Sequence, residues 1–255
     1  MRLFDSHCHL DAPEFDADRA DVLARAVAAG VGGQVVPAVD FAGWTKLKAL
    51  CHAEPGLYAA YGLHPMYLEQ HRPEHLDALP DWIERERPVA VGECGLDFFV
   101  EGLDRDMQRH YFRRQMDIAR EFDLPVVLHA RRAVEEVIAT IRTVGRLSGV
   151  VHSYSGSEEQ ARQLFGLGFY LGIGGPVTFE RAQRLRRIVS RMPLEFLLLE
   201  TDAPDQPDAD HRGERNEPSL LPQVLRVVAE LRQESEEKIA EATTANAIRL
   251  FRIAM

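Results

Sequence analysis

The sequence predicts a single α/β domain over residues 1–255, folded as a (β/α)8 barrel. Short apolar runs alternate with longer amphipathic stretches along the whole chain, and eight such runs are found. The length, 255 residues, is close to the roughly 250 that such a barrel needs. The runs are continuously apolar rather than alternating, as expected of strands covered on both faces. A doubly wound open sheet is the competing architecture, but no G-x-G-x-x-G follows the first run to support it.

The predicted strands are LFDSHCH (3–9), GQVVPAV (33–39), LYAAYGLH (57–64), PVAVGECG (88–95), PVVLHA (125–130), GVVHSY (149–154), FYLGIGG (169–175) and FLLLETD (196–202). Helical spacing marks 18–30, which stops at a Gly, and 105–122, the longest and most amphipathic stretch. The segment 157–168 opens with Ser157 and Gln160 in capping-box positions. Helices are also expected over 179–191, 219–233 and 235–251, the last with Ser235 as N-cap. Trp44 and Trp82 read as helical packing residues. The polar, Pro-bearing loop 203–218 shows no periodicity, and a loop of that length is expected to be functional or mobile.

No apolar run approaches the ~20 residues of a membrane span, and MRLFDSHCH has no apolar core of a signal peptide. Three Cys, at 8, 51 and 94, form no disulfide framework and fit a cytoplasmic protein. The net charge of -10 argues against a broad nucleic-acid-coating surface but leaves room for a local cationic site that takes one strand end. Nothing points to a membrane or to an obligate protein partner.

The ends of the predicted strands are unexpectedly rich in metal-ligand types. The first ends in His7-Cys8-His9, the third in His64, the fourth in Glu93, the fifth in His129, the sixth in His152 and the eighth in Asp202. A His-x-His is common by chance in a chain with ten His. Several such residues at different strand ends are not, because a barrel brings all those ends to one face. Alternation along a strand puts His7, His9 and Asp5 on one side and Cys8 on the other. Cys8 and Cys94 therefore read as packing residues. Four of these five His with the two carboxylates already exceed one closed zinc site, so two divalent ions sharing a bridging group are expected. Two carboxylates against two such ions leave a net positive site, suited to an anionic substrate such as a phosphodiester.

With these residues in place, the chain resembles the TatD family of metal-dependent deoxyribonucleases, within the amidohydrolase-like metal barrels. The resemblance runs through FDSHCHLD (4–11), GLHP (62–65), VGECGLDF (91–98), LPVVLHARRA (124–133), VVHSYSGS (150–157), GFYLGIGG (168–175) and LLETDAPD (198–205). The last block and the chain length look most like the YjjV-like subgroup. The resemblance implies His7, His9 and Asp202 as ligands of one metal, Glu93 as the bridging carboxylate, and His129 and His152 as ligands of the second. The metals would be Mg2+, Mn2+ or Zn2+. It implies a substrate-side role for His64, and a 3′-to-5′ exodeoxyribonuclease acting on DNA strand ends. Cys94 stands where the family often has an apolar residue, and Ser153 and Tyr154 fall at variable positions.

Asp202 is then the expected general base toward a water made acidic by the metals. Arg131, two residues after His129, is a candidate phosphate clamp. Tyr154 is a candidate stacking surface for a base, with core packing as its plain alternative. Arg132 and the basic run 181–191 read first as solvated surface. The competing function is hydrolysis of a small-molecule or aminoacyl ester or amide bond. Metal barrels that do such work often carry a modified lysine where this chain has Glu93. A non-catalytic scaffold is disfavoured by the intact ligand set.

Overall fold

The computed structural model describes residues 2–253. Eight strands follow one another in one parallel sheet, in chain order: β1 (Leu3–Asp5), β2 (Val31–Pro37), β3 (Leu57–Tyr61), β4 (Ala90–Asp97), β5 (Val126–Arg131), β6 (Gly149–Val151), β7 (Phe169–Ile173) and β8 (Leu197–Leu199). The chain beyond β1 also meets β8: Ser6 N–H donates to the Leu199 carbonyl at 2.9 Å. First and last strands therefore join, and the fold class is the expected (β/α)8 barrel. No described helix is long and apolar enough to cross a membrane.

The strands end earlier than the apolar runs suggested. His7, His9, His64, His152 and Asp202 all lie just beyond the last paired residue. The backbone turns there: Ser153 has φ 44° and Asp202 φ 58°, both outside the strand region. Asp is among the few residue types that tolerate this left-handed conformation.

Contacts divide the chain into two compact units, residues 1–36 with 170–255, and residues 37–169. The first holds α1 (Arg19–Ala28), α7 (Gln183–Arg191), α8 (Leu221–Arg232) and α9 (Glu236–Phe251). Ser235 caps α9 as expected, accepting from Lys238 N–H at 3.2 Å. Buried Asn246 on α9 donates to the carbonyls of Leu194 and Leu197 at 2.8 and 2.9 Å, tying that helix to the start of β8. Helix α7 starts at Gln183 rather than at 179, because a 3-10 turn (Gly175–Thr178) and the residues after it come first.

The loop 203–218 is pinned rather than loose. Asn216 donates its amide to the carbonyls of Thr201 and Asp205, both at 2.8 Å. Ala209 N–H donates to Thr178 Oγ1 at 2.8 Å. Buried Asp208 accepts from the N–H groups of Asp210 and His211 at 2.9 and 3.1 Å, and from His211 Nδ1 at 2.9 Å.

The second unit holds α2 (Trp44–Ala53), α3 (Pro73–Glu86), α4 (Arg105–Glu121), α5 (Val134–Val144) and α6 (Glu158–Gly166). Asp104 caps α4, and Ser157 with Gln160 forms the expected capping box of α6. Trp44 is fully buried; its ring lies 5.9 Å from Tyr61 and 5.5 Å from Trp82, and its indole N–H donates to the Gly62 carbonyl at 3.1 Å. Both Trp are thus helical packing residues, as expected.

Trp44→Ala removes a buried ring and a hydrogen bond, and should lower stability by about 3–5 kcal/mol in denaturant unfolding. The Asp208 hydrogen bond raises the pKa of His211 above 6.5. Its contribution is therefore full below the unfolded pKa and fades as pH rises through the raised folded value. Amide protection factors at Asp210 and His211 should fall across that window in the wild type and stay flat in His211→Gln.

Candidate metal centre

In the first unit the chain beyond β1 runs beside the chain beyond β8. Asp202 N–H donates to the His7 carbonyl at 2.9 Å, and His9 N–H to the Ala203 carbonyl at 2.7 Å. Buried Asp5 ties the two together. Its Oδ1 accepts from His7 N–H at 3.2 Å and Thr201 N–H at 3.0 Å, and its Oδ2 from the Thr201 hydroxyl at 2.6 Å. Burial pushes this carboxyl up to about 7, against the pull of those hydrogen bonds. Cys8 points the other way, its Sγ 3.5 Å from Gln34 Oε1 and 3.8 Å from the Val35 carbonyl on β2. The alternation inferred from sequence therefore holds although the segment lies outside the strand.

The outcome is a triangle of donor atoms. His7 Nε2 and His9 Nε2 are 3.2 Å apart, and they lie 3.4 and 3.8 Å from Asp202 Oδ1. Ligands about 2.0–2.1 Å from a tetrahedral ion are separated by about 3.3–3.4 Å. Asp202 is held from its other side by Gln206, whose amide Nε2–H donates to Oδ2.

The second unit makes a second set around Glu93 Oε1. His64 Nε2, His129 Nδ1 and His152 Nε2 stand 2.8, 3.0 and 2.9 Å from that oxygen. His129 Nδ1 is 3.3 Å from both His64 Nε2 and His152 Nε2. Hydrogen bonds on the far ring atoms assign the protons. His129 Nε2 faces Asp97 Oδ2 at 2.9 Å, so that nitrogen carries the proton and Nδ1 offers its lone pair. His64 Nδ1 accepts from Met66 N–H at 3.1 Å, so its proton sits on Nε2 and is donated to Glu93. His64 thus stands beside Glu93 as a hydrogen-bond donor.

The surrounding charges favour a cation at this point, either a second proton on His129 or a metal ion in its place. Burial opposes ionisation of Asp97, but hydrogen bonds from His129 and from the N–H groups of Val100 and Phe99 hold its pKa down at about 2. Burial likewise opposes an imidazolium at His129, but Asp97 and Glu93 outweigh it and push its pKa up. Two carboxylates thus draw positive charge to the point faced by His129 Nδ1. Burial pushes the adjacent Cys94 thiol up, so it remains an inert packing group.

Two glutamines on the buried face of α4 hold the backbone of this set. Gln115 accepts from Leu63 N–H at 2.7 Å and donates to the Leu63 carbonyl at 3.1 Å, next to His64. Gln108 does the same for Asp97, at 2.7 and 2.8 Å. The pair is seven residues apart, two turns along one helix face. Gly95 lets β4 and β5 come together, since a Cβ there would lie 2.0 Å from the His129 carbonyl oxygen.

Sequence reasoning had not singled out Asp97, Gln108, Gln115 or Gln206. Asp97 was within reach, since positions 93, 95 and 97 share one face of a strand. A buried Gln pair at i and i+7 in an amphipathic helix was a weaker signal, and nothing pointed to Gln206. Arg131 ends β5, and its guanidinium lies 3.7 Å from the ring centroid of Phe99, which is 43% exposed. Tyr154 is corrected: it is 2% exposed and its hydroxyl donates to the Ser157 carbonyl at 2.6 Å, so its ring offers no face for a base.

Both donor sets fit divalent cations. Donor atoms of His7, His9 and Asp202 lie within 4.8 Å of one another, and around Glu93 Oε1 the ring atoms His129 Nδ1 and His152 Nε2 stand at 3.0 and 2.9 Å and 3.3 Å from each other. With the His129 proton on Nε2, its Nδ1 lone pair points at the Glu93 oxygen, an arrangement that a cation satisfies.

A (β/α)8 barrel with His and carboxylate groups beyond its strand ends is the plan of the metal-dependent hydrolase barrels. The chain belongs to the family described as TatD related DNase, whose model matches residues 4–252. It is 40% identical, over 99% of its length and 98% of the relative's, to YjjV of Escherichia coli K12, described as an uncharacterized metal-dependent hydrolase. It is 36% identical to the 3′-5′ ssDNA/RNA exonuclease TatD of Cronobacter sakazakii, covering 98% of this chain and 97% of that one. The crystal structure of Escherichia coli YjjV matches with a TM-score of 0.96, at 39% identity and 99% coverage of both chains.

Asp97→Asn tests the proton assignment. An Asn keeps an acceptor for Phe99 and Val100 but turns an amide donor toward His129 Nε2, forcing the His129 proton onto Nδ1. Mn2+ affinity in calorimetric titration should fall about 10–100-fold with the fold retained.

Proposed function

We propose that this chain is a divalent-metal-dependent hydrolase that cleaves phosphodiester bonds at single-stranded or frayed DNA ends, working from the 3′ end. The observation that carries the reading is the convergence of His and carboxylate atoms at ligand spacing in both sets. The exonuclease name of the Cronobacter relative supports the substrate class. Arg131, seated on the exposed ring of Phe99, supports an anionic, base-bearing substrate. We assign His7, His9 and Asp202 to one ion, and Glu93, His129 and His152 to a second. Three Cys, too few and too scattered for a disulfide framework, fit a reducing compartment such as the cytoplasm.

Bound divalent ions supply Lewis-acid charge and a water acidic enough to lose a proton near neutral pH. The rest falls to the side chains. Asp202 accepts the proton of the attacking water, with Gln206 fixing its carboxylate. Glu93 is held by the His64 Nε2–H, and that same donor serves a phosphate oxygen of the substrate. Arg131 neutralises a phosphate oxygen as charge develops in the transition state.

Exhaustive chelation should abolish release of nucleotides from a 3′-labelled single strand, and added Mg2+ or Mn2+ should restore it. Asp202→Asn should keep the fold, because Asn also tolerates the left-handed backbone there, and should lose about 10²–10⁴-fold in turnover. Wild-type turnover in that variant would remove Asp202 from the general-base role. Hydrolysis of an aminoacyl ester with no release of nucleotides would overturn the nuclease reading.

A further inference from the structure

A cavity of about 680 Å3 lies in the first unit, walled in part by Pro176, Phe179, Arg181, Gln206, Pro207 and Arg212. We propose that it is a nucleotide subsite, with a base stacked on Phe179 and a phosphate taken by Arg181 and Arg212. The assignment rests on the nuclease reading for its place in the reaction, and on the cavity itself for its chemistry.

The cavity adjoins the first donor set through one side chain. Gln206 lines it and also donates its amide to Asp202 Oδ2. A group in the cavity is therefore one residue away from the carboxylate assigned to proton transfer. The volume lies within the roughly 300–1,000 Å3 usual for small-ligand sites.

The lining has two parts. Phe179, Pro176 and Pro207 supply apolar and planar surface. Arg181 and Arg212 supply charge, and the Arg181 guanidinium lies 5.3 Å from the Phe179 ring centroid. Among the described residues neither arginine is ion-paired. Other arginines of this unit are neutralised: Arg215 by Asp18 at 2.7 Å and Arg25 by Glu217 at 2.6 Å. Two uncompensated guanidinium groups beside an aromatic face, in a chain of net charge -10, match a ligand that combines a π-face with a phosphate. Exposed Arg187 and Arg191 continue the positive charge along α7, in the basic run 181–191.

The walls are held in place without ligand. Gly175 has no side chain because a Cβ there would lie 2.1 Å from the Gln206 carbonyl oxygen. The Thr178 hydroxyl accepts from Ala209 N–H, and Arg186 donates to the Val177 carbonyl at 2.8 Å. The loop carrying Gln206, Pro207 and Arg212 thus sits firmly against the turn Gly175–Thr178. Little ordering remains to oppose binding.

The test uses the full chain without added metal and two probes, deoxyadenosine 5′-monophosphate and deoxyribose 5-phosphate, which lacks the base. The wild type should bind the nucleotide about tenfold more tightly than the sugar phosphate, as one stacked base implies. Phe179→Ala should erase that preference, Phe179→Tyr should keep it, and Arg212→Ala should weaken both probes alike. Equal binding of the two probes by the wild type, or wild-type nucleotide affinity in Phe179→Ala, overturns the subsite. In parallel, the metal-loaded wild type is given a 3′-labelled oligonucleotide. Failure to cleave it while the Phe179-dependent preference stands overturns the nuclease reading and leaves the subsite in place.

Discussion

The buried carboxylate of Asp5 is the interaction on which the first donor set depends. Among the described residues its hydrogen-bond partners are the Thr201 hydroxyl and two backbone N–H groups, with no cationic side chain. Those donors come from both sides of the seam where β1 and β8 meet. Thr201 precedes Asp202 directly, and His7 is two residues beyond Asp5. Closing the barrel and aiming the ligands are therefore one event. Slack in this clasp would pass to the 3.4 Å separation of His7 Nε2 and Asp202 Oδ1. Removing the carboxylate would strand three buried donors, each at about 1–3 kcal/mol.

The second set is organised by neutral amides and by proton placement. Gln108 and Gln115 satisfy both the N–H and the carbonyl of one residue each, as a neighbouring strand would. They hold Leu63 and Asp97 without adding charge to a place already crowded with it. Asp97 and Met66 N–H then decide which nitrogen of His129 and His64 is protonated. These two partners, rather than the distances alone, separate a ligand from a donor.

The fold was legible because each buried strand is a continuous apolar run and each ligand-type residue interrupts such a run at its end. His7, His9, Glu93, His129, His152 and Asp202 could be picked out for that reason. The exact strand ends were not legible: apolar character continues through Leu10 and Ala203, while the hydrogen-bonding pattern has already left the ladder. Gln206 was hidden because a long polar loop has no period to place its residues against one another. Tyr154 misled because an aromatic beside a ligand looks the same in sequence whether its ring faces solvent or, as here, Gly156 and the Ser157 carbonyl.

Three of the candidate ligand histidines do not all present the same nitrogen. His7 and His9 offer the outer ring atom, Nε2, while His129 offers the inner one, Nδ1. An inner ring nitrogen lies about as far from the backbone as the side-chain oxygen of Asn, and an outer one about as far as that of Gln. Mutational drift at this centre is accordingly unequal. A shortened amide at 129 can still present an oxygen at the site, whereas at 7 or 9 only the longer amide reaches. The three histidines share a residue type but not a set of tolerable neighbours in sequence space.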